Sequence, residues 1–399
     1  MTDQPRRWPP AAGLLGAASF LLIGWSGLLI PSLIRSVKDG FDQSDAGIGV
    51  FYFLYAVVYA AGSLGGGLLT ERVGRRTVLS LGAVLHGVGL IALGISPTWP
   101  VFLLAALPAG LGVGVLDGGG NGLFLDLFKT ERGRALNLLH LCFSLGALSA
   151  PLVVGRLVEG GAAWQAILVG TGVVAIVVGI LFAIVAMPSG RHRAAAADAT
   201  DDAIPVTAGR RRLPTPLLLL ALAIACYVAS EVGVSNWLVR FLEPAPLTTA
   251  TTALALFWAG LTLGRLTAAR LADRYDHTRF TIVSAAATGV VLIGAILIPS
   301  LPVSIALFAL AGFATGPVFP MIIVIGGDRY PGRSSAVSGF LGGSAVVGSI
   351  IYPPIMGFLS VTVGLTVAML GTVVLAFACA GALVLVSRQA VAEPGVASA

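Results

Sequence analysis

The chain has 399 residues, of which 57% are hydrophobic and only 11% are charged. An average soluble domain has about 25% charged residues, so this chain has too few charges to cover a water-exposed surface. Its net charge of +6 does not indicate a nucleic-acid partner, because the basic residues cluster in short segments between apolar runs. The composition therefore predicts an integral membrane protein whose main surroundings are the lipid bilayer.

Twelve apolar runs are long enough to cross a membrane as helices, each of which needs about 20 mostly apolar residues. They predict an all-α fold with twelve transmembrane helices, called here the first to the twelfth span. Their predicted limits are roughly 11–34, 46–70, 77–95, 100–126, 134–158, 164–187, 214–241, 248–271, 279–299, 302–326, 335–360 and 363–386.

Basic residues are distributed unevenly between the two sides of these spans. With both termini placed in the cytoplasm, 19 of the 24 Lys and Arg residues fall in cytoplasmic segments and four fall outside. The remaining one, Arg265, lies within a span. An excess of Lys and Arg marks the cytoplasmic side. The pattern therefore predicts a multi-pass protein of the plasma or inner membrane with both termini in the cytoplasm.

One long polar segment, roughly residues 188–213, separates the sixth span from the seventh. It is rich in Ala, Asp, Thr and Gly and lacks apolar periodicity, which is typical of a flexible linker. The predicted domains are an N-terminal six-helix bundle (1–187), a cytoplasmic linker (188–213) and a C-terminal six-helix bundle with a short cytoplasmic tail (214–399).

Two loop motifs recur at a constant distance in the two halves. Glu71 follows the second span, and Asp273 follows the eighth span 202 positions later. Asp126 follows the fourth span, and Asp328 follows the tenth at the same offset of 202. One offset at two independent places predicts a duplicated six-helix unit, which is a common design of membrane transporters.

The loop sequence "GLLTERVGRR" (Gly67–Arg76) resembles the loop signature of the major facilitator superfamily, and "ARLADRYDHT" (Ala269–Thr278) resembles its second copy. The resemblance implies two pseudo-symmetric six-helix bundles and loop charges that latch the cytoplasmic side, with Glu71 facing the start of the eleventh span and Asp273 that of the fifth. The alternative is that these charges only set the topology. The residues assigned to this cytoplasmic gate are Glu71, Arg72, Arg75, Arg265, Asp273 and Arg274.

Two acidic residues lie well inside predicted spans, Asp117 in the fourth and Glu231 in the seventh. A charged side chain at the centre of a bilayer costs at least about 2.5–3.5 kcal/mol on insertion scales. Removal of a carboxylic acid from water favours its protonated form. Both residues are therefore predicted proton-coupling sites. The alternatives are a buried structural hydrogen bond for Asp117, and a solute ligand or a partner of a nearby polar group for Glu231.

A stripe of glycines follows the fourth span at every fourth residue, from Gly110 through Gly114 and Gly118 to Gly122. Small residues at this spacing allow neighbouring helices to approach closely. Asp117 and Asn121 are also four residues apart, on the adjoining stripe. The pattern predicts one stripe that packs against a helix and another that is free to face a cavity.

Other polar and aromatic residues within spans are candidates for binding a solute. The seventh span, "CYVASEVGVSNWLVRF", also contains Gly233, which predicts a bent or broken helix of the kind found at transporter binding sites. In the tenth span, Pro317 and Pro320 predict a kink. His86 stands alone in the third span and is predicted to be structural. The candidate solute-binding residues are Trp25, Asn121, Asn137, His140, Tyr227, Asn236 and Trp237.

Within the superfamily, "GLGVGVLDGGGN", "ALNLLHLCFSLGA" and "GPVFP" resemble the fucose–proton symporter group, which carries an acid and an Asn at the positions of Asp117 and Asn121. The first span has no acid, whereas the sugar transporters of that group use one there. The resemblance implies a proton-coupled symporter of a small polar solute such as a sugar. One alternative is a proton-coupled efflux antiporter for drugs or metabolites, since "GALSAPLVVG" (Gly146–Gly155) loosely resembles an exporter signature. The other is a signalling receptor.

An enzymatic role is not expected. The chain contains no G-x-x-x-x-G-K-S/T phosphate loop. Its three cysteines lie in apolar runs without the spacing of metal ligands. We therefore predict no cofactor and no metal, and a monomer whose partners are its solute and protons.

Overall fold

The computed structural model describes residues 10–128, 132–187, 213–271 and 274–389, and every regular element in these ranges is helical. Twelve spans within them are long and apolar enough to cross a membrane. They coincide with the twelve predicted spans. The all-α prediction is thereby confirmed.

Within the described ranges, most consecutive helices are joined by short turns. A short 3-10 helix, Pro331–Arg333, precedes the eleventh span. Two spans, the first and the tenth, each consist of two consecutive helices. In chain order the helices are Pro10–Gly27 with Leu29–Gly40, Asp45–Val73, Arg75–Gly94, Trp99–Leu127, Arg132–Glu159, Trp164–Ile184, Thr215–Phe241, Leu247–Leu271, His277–Leu297, Leu301–Thr315 with Val318–Arg329, Ser334–Val363 and Leu365–Ser387.

The break in the first span was not predicted. It falls at Leu28, where the backbone adopts φ −102° and ψ 3°. Pro31 follows three residues later and has no N–H to donate, and its ring crowds the carbonyl of Gly27. The second helix then continues to Gly40, beyond the predicted limit near residue 34.

The tenth span is interrupted where the prolines predicted a kink. Its first helix ends at Thr315, and its second begins at Val318, directly after Pro317. Because proline cannot donate a backbone hydrogen bond, the helical ladder is broken at this residue. The structure therefore interrupts this span at the residue where a kink was predicted.

The seventh span was predicted to be bent or broken, and the structure shows no break. One helix runs without interruption from Thr215 to Phe241, through Gly233. A Cβ atom on Gly233 would lie 2.9 Å from side-chain atoms of Thr372 and Tyr352. Glycine at this position therefore serves close packing against the eleventh and twelfth spans, and the helix can continue because glycine still donates its N–H.

The described residues divide into two compact units. Those within Met1–Ala195 and Leu242–Ala255 form the N-terminal unit, and those within Ala196–Phe241 and Leu256–Ala399 form the C-terminal unit. The predicted domain limits, including the linker at residues 188–213, fall largely on residues outside the described ranges and stay a prediction.

In the N-terminal unit, the glycine stripe of the fourth span lies directly against the second span. A Cβ atom on Gly110 would lie 2.7 Å from the carbonyl oxygen of Tyr55, and one on Gly114 would lie 2.1 Å from that of Tyr59. Such distances are shorter than any ordinary contact, so the two backbones touch because these residues have no side chain. The predicted packing stripe is confirmed.

The C-terminal unit repeats these contacts residue for residue. A Cβ atom on Gly312 would lie 2.1 Å from the carbonyl oxygen of Phe257, and one on Gly316 would lie 2.3 Å from that of Leu261. Each of these four residues is 202 positions after its counterpart in the N-terminal unit. The duplication inferred from the loop motifs therefore extends into the helix packing.

Candidate functional site

Asp117 lies half-buried in the N-terminal unit and accepts hydrogen bonds from three side chains. The hydroxyls of Tyr59 and Ser63 donate to Oδ2 at 2.9 and 3.3 Å. The amide of Asn121 donates to Oδ1 at 3.1 Å and also reaches the backbone oxygen of Asp117 at 3.0 Å. We call these four residues the Asp117 cluster.

The glycine stripe explains how the cluster is assembled. Tyr59 and Ser63 are one turn apart on the second span, so their side chains lie on the same face of that helix. A Cβ atom on Gly118 would lie 2.2 Å from the carbonyl oxygen of Ser63. The close approach at Gly114 and Gly118 therefore brings both hydroxyls within reach of Asp117, which is adjacent to Gly118 in the chain.

The three hydrogen-bond donors to Asp117 are uncharged. A hydroxyl can donate to a carboxylate and can equally accept from a protonated acid by rotation of its hydrogen. The cluster can therefore satisfy Asp117 in both protonation states without a rearrangement of the helices. An arginine or lysine partner, by contrast, would hold the acid in its charged form.

His140 and Asn137 lie on the fifth span, and both are exposed. The imidazole of His140 interacts electrostatically with Asp117 and packs edge-on against the ring of Phe20, with 5.6 Å between ring centroids. His140, which was predicted to bind the solute, thus comes near the Asp117 cluster from the fifth span. Asn137 is exposed, and its predicted contact with a solute stays a prediction.

Trp25 of the first span uses its polar atom in a contact between helices. Its indole Nε1 donates to the hydroxyl of Thr171 on the sixth span at 3.1 Å. Trp25 also lines a largely apolar groove of about 650 Å³ between the first, fifth and sixth spans. His86, predicted to be structural, is fully buried, and its ring nitrogens bond to Ala109 O at 2.8 Å and Ser26 Oγ at 3.0 Å.

Glu231 lies in the C-terminal unit with a charged partner. Its Oε2 accepts a short hydrogen bond from the hydroxyl of Tyr227. The guanidinium of Arg265, grouped above with the cytoplasmic gate, lies 4.0 Å from the same oxygen and interacts with the Tyr227 hydroxyl. We call these three residues the Glu231 cluster. Its charged pair distinguishes it from the Asp117 cluster.

The other candidates of the seventh span are placed differently. Trp237 has none of its surface exposed and is part of the packed interior of the span. Asn236 is half-buried. Neither belongs to the Glu231 cluster, so their predicted contact with a solute stays a prediction.

An ion pair that the sequence did not specify joins the start of the third span to the end of the fourth. Arg75, with only 7% of its side chain exposed, donates to Asp126 Oδ2 at 2.5 Å and to Gly119 O at 3.1 Å. A Cβ atom on Gly122 would lie 2.7 Å from Nη1 of Arg75. The last glycine of the stripe thus makes room for the guanidinium.

The C-terminal unit contains the equivalent pair with histidine in place of arginine. His277 Nδ1 lies 3.0 Å from Oδ2 of Asp328, and both residues are 202 positions after Arg75 and Asp126. Among the remaining gate residues, Arg72 and Arg274 are exposed. The side chain of Glu71 and the whole of Asp273 lie outside the described residues, so the predicted latch stays a prediction.

We expect Arg75→Gln to lower the free energy of unfolding by about 2–3 kcal/mol, because a charge-assisted hydrogen bond is lost and Asp126 keeps its charge without its partner. Thermal unfolding of the purified protein in detergent measures this loss. In the double variant Arg75→Gln/Asp126→Asn, part of the stability should return, since no charge is then left alone. A double variant no more stable than the single one would contradict this account.

Sequence reasoning missed two residues of the Asp117 cluster and the role of Asp126. Tyr59 and Ser63 follow Tyr55 at intervals of four in "YAVVYAAGS", a polar stripe that could have been read as facing the acid of the fourth span. The partnership of Asp126 with Arg75 had no local signal, because these residues are 51 positions apart.

The architecture and the loop motifs agree with the comparison of this chain with known proteins. The sequence model of the Major Facilitator Superfamily matches residues 14–244 and 219–398. The chain therefore belongs to the Major Facilitator Superfamily and is a multi-pass membrane transporter, as its loop signatures predicted.

Two relatives illustrate the range of sequence similarity. Bypass of stop codon protein 6 of Saccharomyces cerevisiae is 24% identical over 387 residues, which cover 87% of this chain and 76% of the yeast protein. Sodium-dependent glucose transporter 1A of Mus musculus is 26% identical over 136 residues, which cover 34% of this chain and 32% of the mouse protein. The match to the mouse transporter thus spans only about a third of its length.

Solved structures show the same fold. A bacterial homologue of the human lysosomal transporter Spinster superposes with a TM-score of 0.78 at 15% identity, over 96% of this chain and 98% of the homologue. The E. coli fucose:proton symporter superposes with a TM-score of 0.60 at 18% identity, over 96% and 100% of the two chains. The D-xylose–proton symporter gives a TM-score of 0.74 at 15% identity, over 94% and 97% of the two chains. At these identities the likeness concerns the fold.

Proposed function

We propose that the chain is a proton-coupled secondary active transporter that moves a sugar or a similar small polar solute across the inner membrane by alternating access. Asp117 carries the coupling proton, and both termini lie in the cytoplasm. The transporter works as a symporter, so that solute and proton cross in the same direction.

The observation that carries this proposal is the set of partners around Asp117. An acid within a span, with uncharged hydrogen-bond donors, can bind and release a proton as water reaches it from one side and then the other. Glu231 differs because Arg265 lies beside it. Of the two predicted proton sites, Asp117 is therefore the better suited to a proton that comes and goes.

The choice of a sugar-type solute is supported by the relatives. The fucose:proton and D-xylose–proton symporters share the fold over 94% or more of this chain. The glucose transporters that resemble part of the chain are sodium-dependent by name. The uptake experiment must therefore distinguish between a proton and a sodium ion as the coupling ion.

Uptake by proteoliposomes tests the proposal. We expect radiolabelled hexoses, pentoses or sugar acids to accumulate when the outside is acidified, and not when a sodium gradient is applied at constant pH. One proton moving through 100 mV supplies about 2.3 kcal/mol, which corresponds to an accumulation of about 50-fold. Accumulation driven by sodium alone would contradict proton coupling. A solute that only equilibrates would contradict active transport.

One observation favours the rival function, an efflux antiporter for lipophilic compounds. The groove of about 650 Å³ beside Trp25 is lined almost wholly by apolar side chains, which suits a lipophilic compound better than a sugar. Expression in a drug-sensitive host separates the two functions. An exporter raises drug tolerance without supporting growth on a sugar, whereas the proposed symporter does the reverse.

A further inference from the structure

Arg265 is a cation within a span, and one of its hydrogen-bond donors, Nε, is uncommitted among the described residues. A guanidinium has five N–H donors. Its interaction with Glu231 spans 4.0 Å, which is too long for a hydrogen bond, and it also interacts with the hydroxyl of Tyr227. Its Nε is buried and has no hydrogen-bond partner among the described residues.

The arrangement of the Glu231 cluster explains why no described residue accepts from this donor. Tyr227 is four residues before Glu231 on the seventh span and holds its Oε2 through a short hydrogen bond. The carboxylate is therefore kept at the tyrosine and does not reach the edge of Arg265 formed by Nε and a terminal nitrogen. That edge is the one on which a planar carboxylate docks through two parallel hydrogen bonds.

The uncharged hydroxyls of a neutral sugar cannot use this edge equally well. A single hydroxyl oxygen accepts from one N–H at a time in good geometry, whereas the two oxygens of a carboxylate match Nε and the terminal nitrogen together. The carboxylate of the solute also supplies a negative charge close to the guanidinium of Arg265, from which the carboxylate of Glu231 lies 4.0 Å away. The chemistry of the edge thus favours a solute with a carboxylate.

We propose that the transported solute is a sugar acid whose carboxylate pairs with Arg265, and that Glu231 takes up a proton from the aqueous phase when this pair forms. The proposal rests on the function proposed above and specifies its substrate class. Two carboxylates beside one guanidinium repel each other, so protonation of Glu231 relieves the excess negative charge. The proton on Glu231 then accompanies the anion, while Asp117 carries the driving proton.

Few other charged side chains lie on the helices that pack around Glu231. On its own helix the nearby titratable group is Tyr227, and the eighth span contributes Arg265. The eleventh and twelfth spans, which pack against the seventh, contribute no charged side chain in their helices Ser334–Val363 and Leu365–Ser387, only Tyr352 and Cys379. The second helix of the tenth span has its charged residues at its end, Asp328 and Arg329.

Binding measurements on the purified full-length protein test the inference with D-glucuronate as the probe. D-glucose and D-glucuronamide are the controls, because they differ from it only by an uncharged group at the same carbon. We expect at least 10-fold tighter binding of glucuronate than of either control, and tighter binding at pH 5.5 than at pH 7.5, where glucuronate itself stays ionised. Equal affinity for glucuronate and its amide would overturn the proposal without any variant.

Two variants distinguish a binding role from a merely structural ion pair. Arg265→Gln should weaken glucuronate binding at least 10-fold and weaken glucose binding much less. Glu231→Gln, which resembles the protonated acid, should bind glucuronate more tightly at pH 7.5 and lose the pH dependence. If the pair is only structural, both variants weaken glucuronate and glucose alike. The pH dependence of glucuronate binding should persist in Asp117→Asn. This result would show that the dependence does not arise from the coupling proton on Asp117.

The uptake assay separates this inference from the proposed function. Proton-driven accumulation of glucose without glucuronate would overturn the sugar-acid assignment and leave the symporter intact. Specific glucuronate binding without accumulation under any proton gradient would support the sugar-acid assignment. It would contradict the proposed symporter function.

Discussion

Asp117→Asn should abolish solute accumulation driven by a proton gradient, so that the ratio of inside to outside solute falls from about 50 to about 1. Asparagine has nearly the size of aspartic acid and can still accept hydrogen bonds from Tyr59 and Ser63, but it cannot exchange a proton. Solute exchange between the two sides at equal pH should therefore survive. Counterflow of labelled solute in proteoliposomes measures this second property.

The control for this variant is Asp42→Asn. Asp42 is exposed, and its backbone has φ 50°, a conformation that asparagine tolerates as well as aspartate does. The same chemical change there should leave accumulation at the level of the wild type. Accumulation retained in Asp117→Asn would remove this residue from the coupling mechanism, and loss of both accumulation and counterflow would indicate a structural role.

Gly118→Ala should destabilise the protein by about 1–3 kcal/mol and greatly reduce transport. The added methyl group would lie 2.2 Å from the carbonyl oxygen of Ser63, which is backbone and cannot rotate away. The second and fourth spans must separate to admit it. Separation would also draw the hydroxyls of Tyr59 and Ser63 away from Asp117, so stability and coupling should decline together.

Gly170→Ala is the matched control in the same unit. A Cβ atom on Gly170, in the sixth span, would meet no atom within 4 Å. Alanine is favoured over glycine within a helix by up to about 1 kcal/mol, so thermal unfolding should occur at the same or a slightly higher temperature. Equal stability of both variants would show that the helices of the glycine stripe are less tightly packed than the structure indicates.

The number and approximate limits of the spans could be predicted from sequence because each is a property of one segment. A run of about 20 apolar residues has to form its own backbone hydrogen bonds in lipid, and a helix achieves this. The interruption at Pro317 was predictable for the same reason, since proline acts on its own helix. The prediction at Gly233 failed to foresee an unbroken helix. Glycine acts either as a helix breaker or as a packing residue, and its neighbours in the fold decide which.

The repeat and the loop signatures could also be read directly, since an offset of 202 positions and a ten-residue motif are visible in the chain itself. The acids at Asp117 and Glu231 were conspicuous because a charge in an apolar run is costly. Sequence thus determined the class of protein and marked the two residues that we propose as its proton sites.

Only the tertiary structure decided what surrounds those acids. Tyr59 and Ser63 lie 58 and 54 positions before Asp117, and Arg265 lies 34 positions after Glu231. Such pairs form because helices pack at a particular rotation and depth, and these depend on every residue of the interface at once. The same reason explains why one acid is surrounded by neutral donors and the other lies beside a guanidinium, a difference that no local pattern in the chain expresses.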